Sequence, residues 1–415
     1  MKSKLISITT LIIAGEAIFL LPFIVMRVFK PIIREVFLIS DIEIGQAQAF
    51  YGITALFSYF FGGFIADRWE ARKLLSISLV LTSIGGIVMI SIPTIGIFKI
   101  IYTLWGISTT FLFWAALIKA TRQWGNENNQ GLSFGLLDGG RGLFAASIAF
   151  FGATILSYLF PEDAALVTYE DKKITLQFIF AVITAVVLII GVFVWFTLPG
   201  ETINSNKKTL FSFQLVFTLL KKRKIIFHSL MILSAYSAYK LTGVFGIYAR
   251  DVWSFSLENA TYFAVMIQFL RPIIVILIGS VADHFSPSKV MIPCFICILF
   301  SSLIIGLGGS ETNYFIIYFC LFIIIALGKY SLRGLYFGVI EEIKAPIQLT
   351  GTLVGIISVI GFTPEIFMSL LIGYMLGNDP TVSEYQKLFT LFPLLGLLFG
   401  YLFKKNRCYM GLKKK

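Results

Sequence analysis

The chain has 415 residues, of which 57% are hydrophobic and 13% charged, and its formal net charge is +12. A soluble domain carries roughly 25% charged residues, so this composition excludes a water-soluble fold for most of the chain. The apolar residues come in stretches of about 20, the length that crosses a bilayer as one helix. The sequence contains no phosphate-binding glycine–lysine loop and no nucleophile elbow, which argues against an enzyme and against a pump driven by ATP.

Cysteine and histidine are too few and too scattered to predict a metal site. The two histidines are His228 and His284, and Cys294 and Cys297 form an isolated C-x-x-C pair in an apolar stretch. Apolar packing is the favoured interpretation of this pair over redox or metal chemistry. The sequence therefore predicts no metal and no cofactor.

The first predicted helix, residues 5–28, begins after a basic start. Its apolar run is longer than that of a signal peptide and has no small-residue cleavage site, so we expect it to remain uncleaved. Five more apolar stretches complete the first half, at 44–66, 74–93, 96–119, 131–158 and 174–198. Residues 199–224 form the longest polar break, which is predicted to be an amphipathic linker on the cytoplasmic surface.

The second half repeats this pattern with six predicted helices, at 225–249, 260–281, 290–309, 314–340, 349–372 and 388–403. The predicted domains are thus an N-terminal six-helix bundle (1–198), the linker (199–224) and a C-terminal six-helix bundle with a basic cytoplasmic tail (225–415).

Basic residues in the connecting segments indicate the orientation. With the N-terminus in the cytoplasm, about three times as many Lys and Arg residues lie inside as outside, as the positive-inside rule requires. The sequence therefore predicts a multi-pass protein of the bacterial inner membrane with both termini cytoplasmic. The basic excess faces anionic lipid, so the net charge requires no nucleic-acid partner.

A motif of the form G-x-x-x-D, followed by basic residues, occurs once in each half, and its copies are 216 residues apart. The first copy comprises Gly63, Asp67, Arg68, Arg72 and Lys73, and the second Gly279, Asp283 and Lys289. An internal repeat of this size is typical of transporters built from parallel halves.

This motif resembles the signature between helices 2 and 3 of the major facilitator superfamily. The resemblance implies an all-α membrane protein with twelve transmembrane helices in two pseudo-symmetric six-helix bundles. Asp67 lies at a helix end where Arg68 and Arg72 can pair with it, and such pairs can form and break as the halves rock. These three residues and Asp283 are the gating candidates, and a solvated charged turn is the alternative for both copies.

Two further segments resemble the organophosphate:phosphate antiporter family. Residues 23–29 contain Arg27 and look like that family's helix 1 arginine segment, and Tyr239–Lys240 falls near its matching arginine in helix 7. The resemblance implies that Arg27 and Lys240 clamp a substrate phosphate from opposite halves. This sequence departs from the family at Lys240, since lysine lacks the bidentate fork of arginine, and at Tyr59, where the family often has lysine.

Charged residues inside the predicted helices are the main functional signal, because each costs several kcal/mol unless it meets a partner or a cavity. The basic ones outnumber the acidic ones, with Arg27, Arg141, Lys240, Arg271, Lys329 and Arg333 against Glu16, Asp138 and Glu365. Since buried charges tend to be neutralised, this excess predicts an anionic ligand. The predicted substrate-binding residues are Arg27, Arg141, Lys240, Tyr236, Tyr239, Arg271 and Lys329. The three acids are the predicted proton-coupling residues.

Structural roles compete with these assignments. Glu16 can be the partner of a cation on another helix, and Asp138 can form a permanent pair with Arg141, three residues further along the same helix. Arg27 lies near the outer end of its helix and can snorkel to the interface.

Two later arginines also have structural alternatives. Arg271 can satisfy the helical turn that Pro272 breaks. Arg333 lies near the cytoplasmic end of its helix, where we expect it to pair with Glu341 or Glu342.

Three function classes are compatible with these features. The first is a monomeric secondary transporter of a small organic anion, phosphorylated or not, that works by rocker-switch alternating access as an antiporter or proton symporter. The second is a proton-driven exporter of amphipathic or cationic compounds, with Glu16 and Asp138 as the ligand charges. The third is a membrane receptor, although the sequence has no soluble output domain. The positive excess favours the first class.

Overall fold

The computed structural model describes residues 2–26, 29–125, 129–159, 168–200, 218–255, 257–308, 315–342, 347–376 and 381–390. All regular secondary structure in these ranges is helical. The first half contains α1 (Lys2–Ala17), α2 (Lys30–Phe37), α3 (Asp41–Arg68), α4 (Ala71–Ile90), α5 (Ile95–Ile107), α6 (Ala115–Trp124), α7 (Gln130–Leu159) and α8 (Tyr169–Thr197).

The second half contains α9 (Arg223–Lys240), α10 (Phe245–Asp251), α11 (Leu257–Phe285), α12 (Pro287–Leu307), α13 (Phe315–Leu335), α14 (Val339–Glu342), α15 (Thr350–Gly361) and α16 (Pro364–Leu376). Short 3-10 turns cover Leu241–Val244 and Ile347–Leu349, and residues 382–390 are helical again.

The predicted membrane helices coincide with these elements. Within the described residues, nine helical stretches are long and apolar enough to cross a bilayer. The interrupted first helix and α7 account for two further predicted spans, and the three described residues of the last predicted span, 388–390, are helical. Most of the predicted span 388–403, the residues 201–217 of the linker and the basic tail lie outside the described residues.

Two helices of the first half contain π-helical segments, which the sequence pattern did not predict. Leu20–Val25 follows α1, and Ser108–Trp114 joins α5 to α6. Pro22 lies in the first segment, and its carbonyl accepts a hydrogen bond from the Tyr102 hydroxyl at 3.1 Å. Such segments widen a helix locally and are frequent near functional sites.

Small polar residues join the apolar helices to one another. On α4, the Ser76 hydroxyl donates to the Gly191 carbonyl of α8 at 2.7 Å, and Ser78 donates to the Ser108 carbonyl at 2.6 Å. Hydroxyls of this kind find hydrogen-bond acceptors on a neighbouring helix, and their small side chains allow the two backbones to approach closely. The polar residues of α4 are therefore part of its buried face.

The chain divides into two compact units. The first unit comprises Met1–Trp124, Gly140–Leu210 and Pro346–Gly355, and the second comprises Gly125–Gly139, Phe211–Ala345 and Ile356–Lys415. The divisions fall inside α7 and inside α15. The predicted domains 1–198 and 225–415 divide the chain by helix number instead, and they stay a prediction.

Candidate functional site

The second unit contains a carboxylate held by two arginines from two other helices. Asp138 lies on α7, Arg271 on α11 and Arg333 on α13. The Asp138 carboxylate accepts from Arg271 Nη2 at 2.6 Å and Nε at 3.1 Å, and from Arg333 Nε at 3.2 Å. The side chains of Asp138 and Arg271 are 11% and 13% exposed. This network leaves one positive charge in excess.

A close helix approach brings these groups together. A Cβ on Gly139 would lie 3.0 Å from the Pro272 carbonyl oxygen of α11, so only glycine lets the backbones meet without displacement. Pro272 also removes one N–H from the α11 ladder. The structural alternative for Arg271 was to satisfy that broken turn, whereas its guanidinium binds Asp138 through two nitrogens.

Lys329 lies on α13, one turn before Arg333, and is 1% exposed. Aromatic rings surround its ammonium: Nζ is 4.2 Å from the centroid of Tyr330, 5.3 Å from Phe245 and 5.8 Å from Tyr239. The negative ring faces attract a cation, and the attraction strengthens when water is excluded. Lys329 is therefore a buried amino group surrounded mainly by aromatic rings.

A second ion pair of this unit joins two helix breaks. Lys240 ends α9, and Glu365 follows Pro364 at the start of α16. Lys240 Nζ lies 2.7 Å from the Glu365 carboxylate, which also accepts a short hydrogen bond from the Tyr236 hydroxyl. The structure thus brings together Lys240, Tyr236 and Glu365, which the sequence analysis had assigned separately to binding and coupling.

Tyr239 connects these two networks. Its ring stacks on Tyr236 at 5.8 Å, and the Arg333 guanidinium lies 4.3 Å from its centroid. Lys329 contacts the same ring, so Tyr239 borders both the Asp138 network and the Lys240–Glu365 pair. The charged residues of the second unit form one continuous cluster through this aromatic ring.

The first unit contains a buried ion pair near the π-helical segments. Arg141 Nε lies 3.1 Å from the Glu16 carboxylate, and both side chains are less than 10% exposed. The Arg141 guanidinium also lies 5.4 Å from the ring of Phe19 and 5.8 Å from that of Trp114. Phe19 directly precedes one π segment and Trp114 ends the other. Glu16 therefore has the interhelical cation that the sequence analysis offered as its structural alternative.

The first G-x-x-x-D motif caps a helix of its own unit. Asp67 Oδ1 accepts from the Gly351 N–H at 2.6 Å, and Oδ2 accepts from the Thr352 N–H at 2.7 Å, at the start of α15. A Cβ on Gly63 would lie 2.3 Å from the Gly351 carbonyl oxygen. Glycine thus permits the contact, and the aspartate one turn later satisfies the unpaired N–H groups of the helix start.

The second motif makes the same contact in the second unit. Asp283 accepts from the N–H groups of Gly131 and Leu132 at 2.6 Å and 2.8 Å, at the start of α7. A Cβ on Gly279 would lie 2.5 Å from the Gly131 carbonyl oxygen. The repeat found in the sequence is therefore a repeat of one helix-capping device.

Arg72 and Lys73 of the first motif pair with Glu70 rather than with Asp67. Arg72 Nη2 lies 3.2 Å from Glu70, and its guanidinium lies 5.4 Å from the Trp195 ring. The hydrogen bond from Lys73 holds the pKa of the Glu70 carboxyl below its usual range. The sequence predicts that Asp67 pairs with Arg68 and Arg72, but the described hydrogen bonds of Asp67 go to the start of α15, because unpaired N–H groups attract a carboxylate. Arg68 ends α3.

Two other residues depart from the sequence analysis. The sequence predicts that Arg333 pairs with Glu341 or Glu342, yet Arg333 binds Asp138 of α7 at 3.2 Å, and Glu342 accepts from the Ser288 N–H at 2.8 Å instead. Its position one turn after Lys329 on the same helix was the sequence signal that could have identified Arg333 as a member of the same charged cluster. Arg27, the predicted partner of Lys240 in substrate binding, lies outside the described residues.

Comparison with known proteins agrees with this architecture. Residues 8–362 match the family model of the Major Facilitator Superfamily. The chain is 24% identical over 373 residues to the inner membrane protein YqcE of Escherichia coli, covering 88% of this chain and 86% of the relative. It is 22% identical over 398 residues to the inner membrane protein YihN of the same bacterium, covering 94% of this chain and 91% of the relative.

Solved structures show the same fold. The transporter FucP in its outward conformation superposes with a TM-score of 0.76 at 13% identity, covering 96% of this chain and 97% of FucP. The proton:xylose symporter XylE superposes with a TM-score of 0.71 at 12% identity, covering 97% of this chain and 94% of XylE. The helix order, the paired motifs and the extent of the family match therefore show that this chain is a twelve-helix transporter of the Major Facilitator Superfamily.

Proposed function

We propose that this protein is a secondary transporter that moves a small organic anion, phosphorylated or not, across the bacterial inner membrane by rocker-switch alternating access. It works as an antiporter or proton symporter, as a monomer with both termini in the cytoplasm. The observation that carries the proposal is the charge of the second unit, where Lys240, Arg271, Lys329 and Arg333 meet only Asp138 and Glu365 among the described residues of the cluster.

Retaining four cations against two carboxylates is expensive at membrane depth. The cost is offset when an anion binds between them, because buried charges are stable only when paired and hydrogen-bonded. Arginine offers two parallel donors to a carboxylate or phosphate, and here Arg271 uses two donors on Asp138 and Arg333 uses one. An anionic substrate therefore competes with Asp138 for the same guanidinium groups.

That competition also supplies a route to proton coupling. When substrate takes Arg271 and Arg333, the Asp138 carboxylate loses its cationic partners and a proton neutralises it instead. Glu365 and Lys240 can exchange partners in the same way, and Glu16 with Arg141 in the first unit. Substrate and proton then enter together, or a second anion replaces the first without a proton.

The alternative of a cation exporter is less well supported. A cationic compound needs unneutralised carboxylates, whereas Glu16, Asp138 and Glu365 each contact at least one basic side chain. The structural neighbours FucP and XylE are named as a fucose:proton and a proton:xylose symporter. At 12–13% identity they share the fold, so neutral sugars serve as comparison probes rather than as expected substrates.

The test is uptake into proteoliposomes that contain the purified protein. Labelled inorganic phosphate and succinate are the anionic probes, fucose and xylose the neutral ones, and tetraphenylphosphonium the cationic one. Each is measured into empty and preloaded vesicles, with and without a proton gradient. We expect anion uptake that Arg333→Gln lowers and Arg333→Lys largely keeps. Transport of a sugar or of the phosphonium without any anion flux would reject the proposal.

A further inference from the structure

Lys329 differs from the other basic residues of the cluster in its partners. Arg271 and Arg333 bind Asp138, and Lys240 binds Glu365. Around the ammonium of Lys329, the described part of the chain supplies the rings of Tyr239, Phe245 and Tyr330 but no carboxylate within ion-pair distance and no hydrogen-bond acceptor. With 1% exposure, this amino group is buried without a counter-ion among the described residues.

The neighbours of Lys329 increase its electrostatic cost. Arg333 lies one turn further along α13, and like charges at this spacing on a helix repel each other. Arg271 repels the ammonium as well. Asp138 can neutralise only one of the three positive charges present when Lys329 is protonated, so this part of the cluster then carries an excess of two. The aromatic rings around Lys329 offset part of the cost of burying its ammonium. They do not reduce the repulsion between Lys329 and the two arginines.

We infer that the transported anion carries two negative charges and that Lys329 binds the second of them. This inference rests on the proposed function and makes it more specific. A singly charged anion would neutralise only half of the excess, whereas a doubly charged group, such as a phosphate monoester or a dicarboxylate, neutralises all of it. The compact ammonium of lysine binds as a point charge with three donors, while the arginines supply planar paired donors.

Some side chains of the cluster remain reachable. The side chain of Arg333 is 18% exposed and that of Arg271 is 13% exposed, and Lys240 and Glu365 are 22% and 42% exposed. An anion can therefore reach the guanidinium groups before it reaches Lys329, which is 1% exposed. This order makes Lys329 a residue that selects charge rather than one that captures the ligand first.

The experiment compares anions that differ by one charge at pH 8. Methyl phosphate is doubly charged at this pH, because the second pKa of a phosphate monoester is about 6, and dimethyl phosphate is singly charged. Succinate and monomethyl succinate form the second pair. Binding to the full-length protein is measured by ligand-dependent thermal stabilisation and by counterflow in proteoliposomes, for the wild type, Lys329→Met and Lys329→Arg.

We expect the wild type to prefer the doubly charged member of at least one pair by about tenfold or more, the size of one charge-assisted hydrogen bond. The pair that shows the preference distinguishes phosphate from dicarboxylate. Lys329→Met should lose the preference and bind the singly charged member about as well as the wild type, and Lys329→Arg should keep it. Lys329→Met should also unfold at a higher temperature without ligand, which confirms that this variant folds.

The outcomes separate the two proposals. If both members of each pair bind equally, or if Lys329→Met keeps the wild-type preference, the inference is wrong and the anion transporter stands. If none of the four anions binds while the protein transports a neutral or cationic probe, the proposed function fails and the inference fails with it.

Discussion

Asp67 Oδ1 accepts a hydrogen bond from the backbone N–H of Gly351 at 2.6 Å, across a sequence separation of 284 residues. The contact explains why the motif needs glycine at its first position and aspartate at its fifth. Gly63 lets α3 touch the backbone of α15, and Asp67, one turn later on the same face, receives the free N–H groups of the partner helix. Gly279 and Asp283 repeat this relationship at the start of α7.

Removing either capping carboxylate should weaken the start of the helix it caps. We expect Asp67→Ala and Asp283→Ala each to lower the free energy of unfolding by about 0.5–2 kcal/mol, the usual cost of a lost N-terminal cap, and to slow transport. Thermal unfolding in detergent and proteoliposome uptake measure the two effects. Asp171→Ala removes the carboxylate that accepts from the Thr168 N–H in the exposed capping box of α8 and is the control, since it should cost stability without slowing transport. Equal transport defects in all three variants would contradict a special role for the motif.

The motif glycines should tolerate no side chain. In Gly63→Ala the new Cβ would lie 2.3 Å from the Gly351 carbonyl oxygen, and in Gly279→Ala 2.5 Å from that of Gly131, so backbone must move. Both variants should unfold at lower temperature than the wild type. Gly52→Ala, on the same α3 helix with no atom within 4 Å of the new Cβ, should be neutral or more stable by up to about 1 kcal/mol. A stable Gly63→Ala would show that α3 and α15 need no close contact.

The sequence predicted the helices well because membrane spans depend on local composition. The predicted span 74–93 corresponds to α4 at Ala71–Ile90, and 290–309 corresponds to α12 at Pro287–Leu307. The family and the repeat could also be recognised, since both motif copies are continuous in sequence. Helix interruptions were harder to predict: the π segment Ser108–Trp114 itself contains neither proline nor glycine, and its residues are compatible with a continuous helix.

Charge partners could not be predicted, because they depend on which helices meet. Spacing on one helix suggested that Asp138 pairs with Arg141, but it could not predict that Asp138 also binds Arg271 and Arg333 or that Arg141 binds Glu16. Helical periodicity gives the face of a side chain and its depth, but the partner lies on a helix more than 100 residues away. The excess of positive charge was nevertheless visible, since it requires only a count of charges at membrane depth.

The Glu16–Arg141 pair should behave as a buried ion pair in a double-mutant cycle. Arg141→Met leaves an uncompensated carboxylate and should lower the free energy of unfolding by about 3–5 kcal/mol, whereas the double variant Glu16→Leu/Arg141→Met should recover most of that loss. Thermal unfolding of the four proteins gives the coupling. Anion uptake by the double variant then tests function separately from folding. If the two single variants add without recovery, the pair does not stabilise the first unit through its charges.

The Lys240–Glu365 pair should matter for transport more than for stability. Because the two side chains are 22% and 42% exposed, breaking the pair should change the free energy of unfolding by only about 0–1 kcal/mol. We expect Glu365→Gln to keep anion counterflow but to lose the acceleration by a proton gradient, because a carboxamide cannot exchange a proton when Lys240 turns to the substrate. Lys240→Met should lose both activities.

Two controls decide how this result is interpreted. Lys387→Met breaks an exposed pair with Glu384 in the same unit and should leave counterflow and gradient-driven uptake unchanged. Glu16→Gln tests the other coupling candidate under the same conditions. If Glu365→Gln still responds to the gradient and Glu16→Gln does not, proton coupling belongs to the first unit, and Glu365 serves only to hold Lys240 at the break between α9 and α10. If neither variant loses the response, Asp138 is the remaining coupling carboxylate, and its two arginines are then the groups that substrate must displace.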